Sequence, residues 1–278
     1  MNSLTVLDSV RGNMYDNETE SDEILESILF MYAKYINDAK YVYKKCRNDL
    51  IVVLKKMDDT ITNETRTSVV DSRYAKFRGN CFYVELIISS TAPQYTFTSA
   101  NSIHVGNFEY VTGTLVKAAR YDPNDDDICA GGIHYFKDIR GAYYYAHLVA
   151  RFPINFSGVK RTYYDNGQLA TRRTFVNGII NGIEVSWYEN GKLRYQCNYA
   201  DKKPEGWVTT WYKNGRIESQ YKYEDGMQNG SVTKWYENGQ VKCQYSCGDD
   251  MKQGEYVEWD ANGVVSYKCN YHNDTKIM

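Results

Sequence analysis

Residues 187–210 read WYENGKLRYQCNYADKKPEGWVTT, and this stretch decides the fold because it recurs along the second half of the chain. The recurrence is clearest in aromatic residues that stand 24 positions apart. An internal repeat of this regularity makes the repeat unit the structural unit. The aromatic residues that start successive units are Tyr163, Trp187, Trp211, Trp235 and Trp259.

An Asn-Gly pair follows each aromatic start, and the segment after it alternates between apolar and polar residues. In the second unit, Leu193, Tyr195 and Cys197 alternate with charged or amide side chains. Asn-Gly between alternating segments is a hairpin signal, and period-two alternation is typical of a strand with one buried face. The predicted turns of these antiparallel hairpins contain Gly167, Gly191, Gly215, Gly239 and Gly263.

The length of the hairpin turn follows from the register that buries the tryptophans. A two-residue loop would place Trp211 opposite Glu218, whereas a three-residue loop ending in Gly215 places it opposite Ile217. Because a slip of one residue moves every side chain to the other face, burial favours the longer loop. We predict a three-residue turn with a glycine bulge, and Trp211 on the same apolar face as the tyrosines. A second recurring glycine, such as Gly206, is predicted to begin the next strand after a polar loop.

The predicted architecture of residues 158–278 is a single-layer antiparallel meander of five hairpins, with like side chains stacked in columns. The aromatic columns are either a core closed on itself or a groove for a partner, since an uncovered aromatic face marks a protein contact. A second contact is predicted at an open sheet edge near residues 267–271, where another copy of the chain could pair. The expected partner-binding anchors are Trp187, Trp211, Trp235, Tyr199, Tyr223 and Tyr245.

The unit W-Y-x-N-G-x-h-x-x-x-x-x-Y…G over residues 158–273 resembles the variant form of the MORN repeat. This form is found in bacterial YwqK-like proteins and is abundant in giant viruses of the marseillevirus kind. The resemblance implies a non-enzymatic scaffold for protein contacts or assembly, with virion or host proteins as partners. It implies an antitoxin-like or host-protein-binding module as the alternative. A phospholipid site is not favoured, because Lys192 and Arg216 are interspersed with Glu189 and Glu218. Peripheral lipid contact stays open.

The N-terminal segment is predicted to be helical. Residues 1–20 are polar and are interpreted as a flexible lead-in, and Thr19 or Ser21 with the acids that follow predicts a helix start. Apolar residues then recur at alternating steps of four and three, which indicates a long helix over about residues 21–56. The helix is either amphipathic and packed on its own domain, with a break near Asn48 as a variant, or part of a coiled coil that self-associates.

Residues 21–157 as a whole are expected to form an α+β domain, in which the helix precedes mixed β-structure. Residues 81–88 predict a buried strand, and residues 113–136 resemble a small uncharacterised domain with a Cys-x-x-Gly-Ile-His-x-Phe core. Cys129 and His134 in that core are the candidates for a nucleophile pair or for two zinc ligands. A zinc site needs about two further ligands, so a structural turn is the preferred interpretation and an enzyme the least favoured function.

Composition bounds the remaining possibilities. The chain has 278 residues, with 33 Lys and Arg against 35 Asp and Glu, which is typical of a globular protein of about two domains and not of a nucleic-acid-coating chain. No apolar run could span a bilayer, and the start lacks the pattern of a signal peptide. We therefore expect an intracellular protein, in the cytoplasm or a virion, that is not secreted. We expect no cofactor, metal, catalytic residue or nucleic-acid partner.

Overall fold

A computed structural model of the chain describes residues 23–104, 108–124, 130–145 and 156–277. The predicted lead-in over residues 1–20 lies outside these ranges. No helix within them has the length and apolarity needed to cross a membrane. The helices are α1 (Glu23–Met31), α2 (Ala33–Ile36) and α3 (Ile139–Tyr144). The strands of the N-terminal part are β1 (Tyr41–Lys45), β2 (Leu50–Lys55), β3 (Lys76–Gly79), β4 (Cys81–Ser89), β5 (Ser99–Asn101), β6 (Glu109–Val111), β7 (Leu115–Lys117) and β8 (Ile133–Phe136).

Six of these strands form an antiparallel sheet in the order β3-β8-β1-β2-β4-β7, and β5 pairs with β6. The sheet is buried on both faces. On one face, Ile28 of α1 and Ile139 of α3 pack with Ile51 and Ile88 of the sheet. The opposite face has its own core around Phe82. The predicted helix-plus-β arrangement and the buried strand β4 are thereby confirmed.

The long helix predicted over residues 21–56 is wrong beyond residue 36. Residues 41–55 instead form the antiparallel pair β1 and β2, joined by a turn in which Asn48 and Asp49 have φ angles of 56° and 55°. Four consecutive residues of β1 are buried, since both faces of the strand are covered. A strand buried on both faces shows no two-residue alternation. Its apolar run therefore cannot be distinguished from a buried helix by spacing alone. The coiled-coil alternative also needs a helix through residue 56, so the strands β1 and β2 contradict it as well.

The C-terminal part is one antiparallel sheet in which consecutive strands are neighbours from β9 to β20, except that β15 extends the pairing of β14 beside β16. The predicted single-layer meander of hairpins is confirmed. Its strands are β9 (Gly158–Tyr163), β10 (Leu169–Val176), β11 (Ile179–Trp187), β12 (Leu193–Ala200), β13 (Lys203–Trp211), β14 (Ile217–Glu224), β15 (Met227–Gln228), β16 (Gly230–Trp235), β17 (Val241–Gly248), β18 (Met251–Trp259), β19 (Val265–His272) and β20 (Thr275–Ile277).

The Asn-Gly turns have the predicted geometry. In the turn between β13 and β14, the Gly215 N–H donates to the Tyr212 carbonyl (2.8 Å) and the Tyr212 N–H to the Arg216 carbonyl (2.9 Å). The loop is therefore three residues long, and Gly215 takes the left-handed conformation with a φ of 86°. Trp211 pairs with Ile217, with a register shift just before it. The three-residue turn with a glycine bulge is confirmed.

The connections at the other end of the hairpins are shorter than the predicted polar loops. Strands β12 and β13 are joined by Asp201 and Lys202 alone, whose φ angles of 45° and 72° give the mirror-image turn that suits a two-residue hairpin. Gly206 therefore lies inside β13, not at its start. Its φ of 78° falls where Gly206, Trp207 and Val208 all face a single residue of β12. Gly182, Gly206 and Gly254 thus form bulges within their strands, whereas Gly158 and Gly230 begin β9 and β16, as predicted.

The tryptophans and the tyrosines do not share one face, contrary to the prediction. Thr210 pairs with Ser219, and their hydroxyl groups are 2.7 Å apart, so both lie on one face. Neighbouring residues of a strand point to opposite faces, so Trp211 lies on the other face. Ser219, Tyr221 and Tyr223 alternate along β14 and stay together. The register shift before each tryptophan is the physical reason, since it moves the tryptophan pair out of step with the tyrosines.

The sheet edge predicted to be open near residues 267–271 is partly covered. Strand β20 folds back along β19 and pairs with Asn270, Tyr271 and His272. Pairing on that side of β19 begins at Asn270, so the covered part includes Tyr271 and excludes Tyr267.

Candidate functional site: the two faces of the repeat array

One face of the array carries tyrosines that contact each other in pairs along single strands. The hydroxyl groups of Tyr195 and Tyr199 are 3.2 Å apart, and the rings of Tyr221 and Tyr223 meet edge to face at 5.9 Å between centroids. All are half-buried. We call this surface the tyrosine face, defined by Tyr195, Tyr199, Tyr221, Tyr223 and Tyr245.

The tyrosine face covers a thin core. Val208 and Val232 lie directly opposite Tyr221 and Tyr245 on paired strands, and both valines are 1% exposed. Cys197, between two tyrosines of β12, is fully buried. Burial raises the pKa of Tyr245 to about 12, because the charged phenolate is disfavoured away from water. The rings thus shield small side chains from water, and this face is largely closed on itself.

The opposite face, the tryptophan face, is more open and rich in uncharged polar groups. Its tryptophans are half-buried, apart from Trp207, which is 51% exposed. Between them, the amides of Gln220 and Gln244 approach the hydroxyl groups of Thr209 and Thr233 at 3.5 and 3.3 Å. The tryptophan face is defined by Trp187, Trp207, Trp211, Trp235 and Trp259.

A ladder of phenol hydrogen bonds joins each hairpin to the next. The tyrosine after each aromatic start donates its hydroxyl to the carbonyl of the tryptophan one repeat later, as Tyr188 does to Trp211 at 2.7 Å. The geometry recurs at every step. The four bonds are Tyr164 to Trp187 (2.9 Å), Tyr188 to Trp211 (2.7 Å), Tyr212 to Trp235 (2.6 Å) and Tyr236 to Trp259 (2.9 Å).

The asparagines of the Asn-Gly turns form a second ladder beside the first. The Asn214 side-chain oxygen accepts from the Arg216 N–H within its own turn (2.9 Å), and its amide donates to the Glu237 carbonyl of the next turn (3.0 Å). One side chain therefore both shapes its turn and attaches it to its neighbour. In the same way, the side-chain amides of Asn166, Asn190 and Asn238 donate to the carbonyls of Glu189, Lys213 and Ala261, respectively.

The N-terminal domain replaces the repeat that would precede the first hairpin. The Asp165 carbonyl is equivalent to the carbonyls that accept an asparagine amide in later repeats. It instead accepts the Lys76 N–H and the Arg66 guanidinium, both at 3.0 Å. The Lys76 ammonium also pairs with the Asp165 carboxylate at 2.7 Å. The domain thus caps the array by making the bonds that a further repeat would make.

Ring stacking and a close backbone approach complete this junction. The Tyr74 ring stacks on Tyr163 with centroids 3.9 Å apart and an interplanar angle of 3°. Burial, with a smaller contribution from Tyr74, raises the pKa of the Tyr163 phenol well above its ordinary value. Gly167 is buried, and a Cβ added to it would lie 2.1 Å from the Asp71 carbonyl oxygen. The first turn can dock only because this residue is glycine.

The residues considered for catalysis are not assembled into a reactive site in the described part of the chain. Cys129 lies outside that part, and the His134 carbonyl accepts a hydrogen bond from the Lys44 ammonium (2.9 Å). Burial raises the pKa of the Cys197 and Cys243 thiols and so disfavours their reactive thiolate form. The described residues contain no group of three or more His, Cys, Asp or Glu side chains that could hold a metal ion.

The six predicted anchors divide equally between the two faces of the array. Trp187, Trp211 and Trp235 lie on the tryptophan face, and the three tyrosines lie on the other. Sequence reasoning missed Trp207, the most exposed tryptophan of the array, because it is out of step with the 24-residue series. The available signal was its alternation with Thr209, which places both on the face away from Val208.

Comparison with known families agrees with this division of the chain. A family of unknown function, DUF5758, matches residues 31–142. The MORN repeat variant matches residues 157–177, 180–201, 228–246 and 252–273. No curated protein matches the sequence. The chain therefore carries a DUF5758 domain followed by MORN-variant repeats, and the hairpin of β13 and β14, between the matched segments, has the same geometry as its neighbours.

Proposed function

We propose that the protein is a non-enzymatic scaffold, in which the repeat array presents a rigid surface to a partner protein and the DUF5758 domain fixes one end of it. The observation that carries this proposal is the double ladder of tyrosine and asparagine bonds, which repeats at four successive junctions. Each hairpin is held to the next at a fixed position, so the surface is preformed. A preformed surface binds a partner with little ordering cost.

The tryptophan face is the surface we assign to the partner. Its exposed Trp207 and half-buried Trp187 and Trp211 supply large apolar contacts, and tryptophan is enriched among residues that dominate binding energy. Tyr199, Tyr223 and Tyr245 instead cover the thin core, so their role is to hold the sheet together. Virion and host proteins are the partner classes that the MORN-variant repeats suggest.

The proposal is tested by using the full chain as bait in extracts of the cells that produce it, followed by binding measurements with the purified partner. Trp207→Ser removes the exposed indole and installs the residue found one repeat later, Ser231, so it should not disturb the fold. We expect it to weaken binding by about tenfold or more. Tyr267→Ser, at an exposed ring on the other face, is the matched control and should bind normally. Equal loss in both variants, or no stoichiometric partner, would contradict the proposal.

A further inference from the structure

A groove opens on the tryptophan face where β16, β17 and β18 meet. Its volume is about 360 Å³, within the roughly 300–1,000 Å³ typical of small-molecule sites. Val257 lines its buried floor, and Trp259 forms one wall. Thr233 and Gln244 contribute a hydroxyl and an amide to the lining. The groove therefore combines an apolar floor and an aromatic wall with neutral hydrogen-bonding groups.

The groove originates in the bulge at the second recurring glycine. Gln244 pairs with Val257 and Ser246 with Gln253, so three residues of β18 face one residue of β17. Gly254 supplies the positive φ of 72° that this bulge requires. Glu255 in the bulge and Tyr245 opposite it both line the groove, so the groove lies at this bulge.

One difference between repeats lies in the lining of the groove. Ser231 occupies the position that Trp207 takes one repeat earlier. Ser231 lines the groove, and the much larger indole at the equivalent position of the earlier repeat is 51% exposed. Ser231 is itself exposed, so its small size is not required for core packing.

The charge of the lining favours an uncharged ligand. Glu255, the charged residue of the lining, forms an ion pair with Lys268 at 2.7 Å. The Gln244 amide and Thr233 hydroxyl approach each other at 3.3 Å, so each retains hydrogen-bonding capacity for a ligand. Hydroxyl groups of a ligand can exchange hydrogen bonds with these side chains, and an apolar ring face of the ligand can pack on an indole. Sugars present both features in one small molecule.

We propose that this groove binds a neutral carbohydrate of one or two sugar units, with a ring face on the Trp259 indole and hydroxyl groups on Gln244 and Thr233. The groove lies at the C-terminal end of the tryptophan face and does not include Trp207, so the sugar titration and the partner measurement can fail independently.

The test is titration of the purified full chain with maltose, cellobiose and lactose, followed by calorimetry and tryptophan fluorescence. At least one disaccharide is expected to bind saturably with a dissociation constant of about 1 mM or tighter, with a fluorescence change because Trp259 is covered. Ser231→Trp restores the indole of the preceding repeat and is expected to weaken binding at least about tenfold. Ser231→Ala keeps the groove open and is expected to bind like the unmodified chain.

Thermal unfolding of both variants checks that the fold is unchanged, as the exposure of position 231 leads us to expect. The absence of saturable binding with all three disaccharides overturns the proposal. Binding that persists undiminished in folded Ser231→Trp overturns it as well, because the sugar would then lie elsewhere.

Discussion

The DUF5758 domain and the repeat array are both antiparallel sheets, yet they are stabilised differently. The six-stranded sheet of the domain is buried on both faces, by two clusters of core residues. Among the described residues of the array, only seven hydrophobic side chains are buried, spread over strands from β11 to β18. They are Val185, Cys197, Val208, Val232, Cys243, Cys247 and Val257.

The two parts differ in how far a local substitution affects the stability of the surrounding structure. In the domain, strands that are distant in sequence share one core, so a local defect is felt by the whole unit. In the array, each hairpin contacts mainly its neighbours, and its stability is close to a sum of local terms. Changes in the domain or at its junction should therefore be large and cooperative, and changes along the ladder small and local.

The largest effect is expected at the junction. Gly167→Ala would place a methyl group 2.1 Å from the Asp71 carbonyl oxygen, at a φ of 88° that disfavours a side chain. We expect a loss of more than about 3 kcal/mol in the free energy of unfolding, because the clash forces the first turn away from the backbone at Asp71. Urea denaturation gives this value, and limited proteolysis should show cleavage between the two parts.

The matched control is Gly239→Ala, at an equivalent turn with a φ of 92°. There an added Cβ meets only the flexible Arg216 side chain, at 3.8 Å. The expected cost is about 1 kcal/mol, from the backbone conformation alone. If the two variants lose equal stability, the close approach at Gly167 is not what holds the junction.

A second prediction concerns a buried cation in the core of the domain. Burial lowers the pKa of Lys44 to about 8, from an ordinary value of 10.5. The folded state therefore carries the full penalty of a buried charge below pH 8, and stability rises as the pH increases from 8 towards 10.5. Lys44→Met should raise the free energy of unfolding by about 2 kcal/mol at pH 7.

The measurement is urea denaturation of both proteins between pH 7 and pH 10. The advantage of Lys44→Met should be nearly constant up to about pH 8 and shrink from there to pH 10, as Lys44 becomes neutral in the folded state. An advantage that is constant with pH would mean that packing, and not charge, determines the effect.

A third prediction tests one phenol of the ladder. Tyr212→Phe removes the 2.6 Å bond to the Trp235 carbonyl and leaves the ring in place. The expected loss is about 1 kcal/mol. Hydrogen exchange should increase at the junction between the third and fourth hairpins and stay unchanged in the DUF5758 domain. Increased exchange throughout the chain would show that the array is not a chain of neighbour contacts.

The smallest effect is expected for Asn214→Asp. The carboxylate still accepts the Arg216 N–H within the turn, but it cannot donate to the Glu237 carbonyl. Because the site is exposed, we expect a loss of about 0.5 kcal/mol. Thermal unfolding, with Asn214→Ala as the variant that also loses the turn bond, separates the two roles. If both variants lose equal stability, the turn bond contributes little.

The array was largely predictable because its signals are local. The Asn-Gly pairs and the need to pair Trp211 with Ile217 were sufficient to derive the three-residue turn. The assignment of faces failed because strand alternation was carried through the register shift at Trp211, where it breaks. The two-residue turn at Asp201 and Lys202 was hidden because Lys202 adopts a positive φ that its residue type does not signal.

The N-terminal domain was less predictable because its contacts connect distant parts of the sequence. Strand β1 lies between β2 and β8. The residues of β8 follow those of β1 by about ninety positions, and no local sequence pattern reveals the pairing of β1 with β8. The capping bonds from Arg66 and Lys76 to Asp165 are equally distant in sequence. Such contacts are decided by the three-dimensional packing of the whole domain.

The identical junctions of the ladder also make the array a device for setting distance. Each hairpin adds two strands, and strands lie about 4.8 Å apart, so every 24-residue unit lengthens the sheet by roughly 10 Å. Inserting or deleting one unit between two ladder junctions would leave both junctions intact. It would move the groove at Trp259 relative to the DUF5758 domain by one such step. The number of repeats thus sets the distance between the DUF5758 domain and the groove at Trp259, and this distance can change while both sites stay the same.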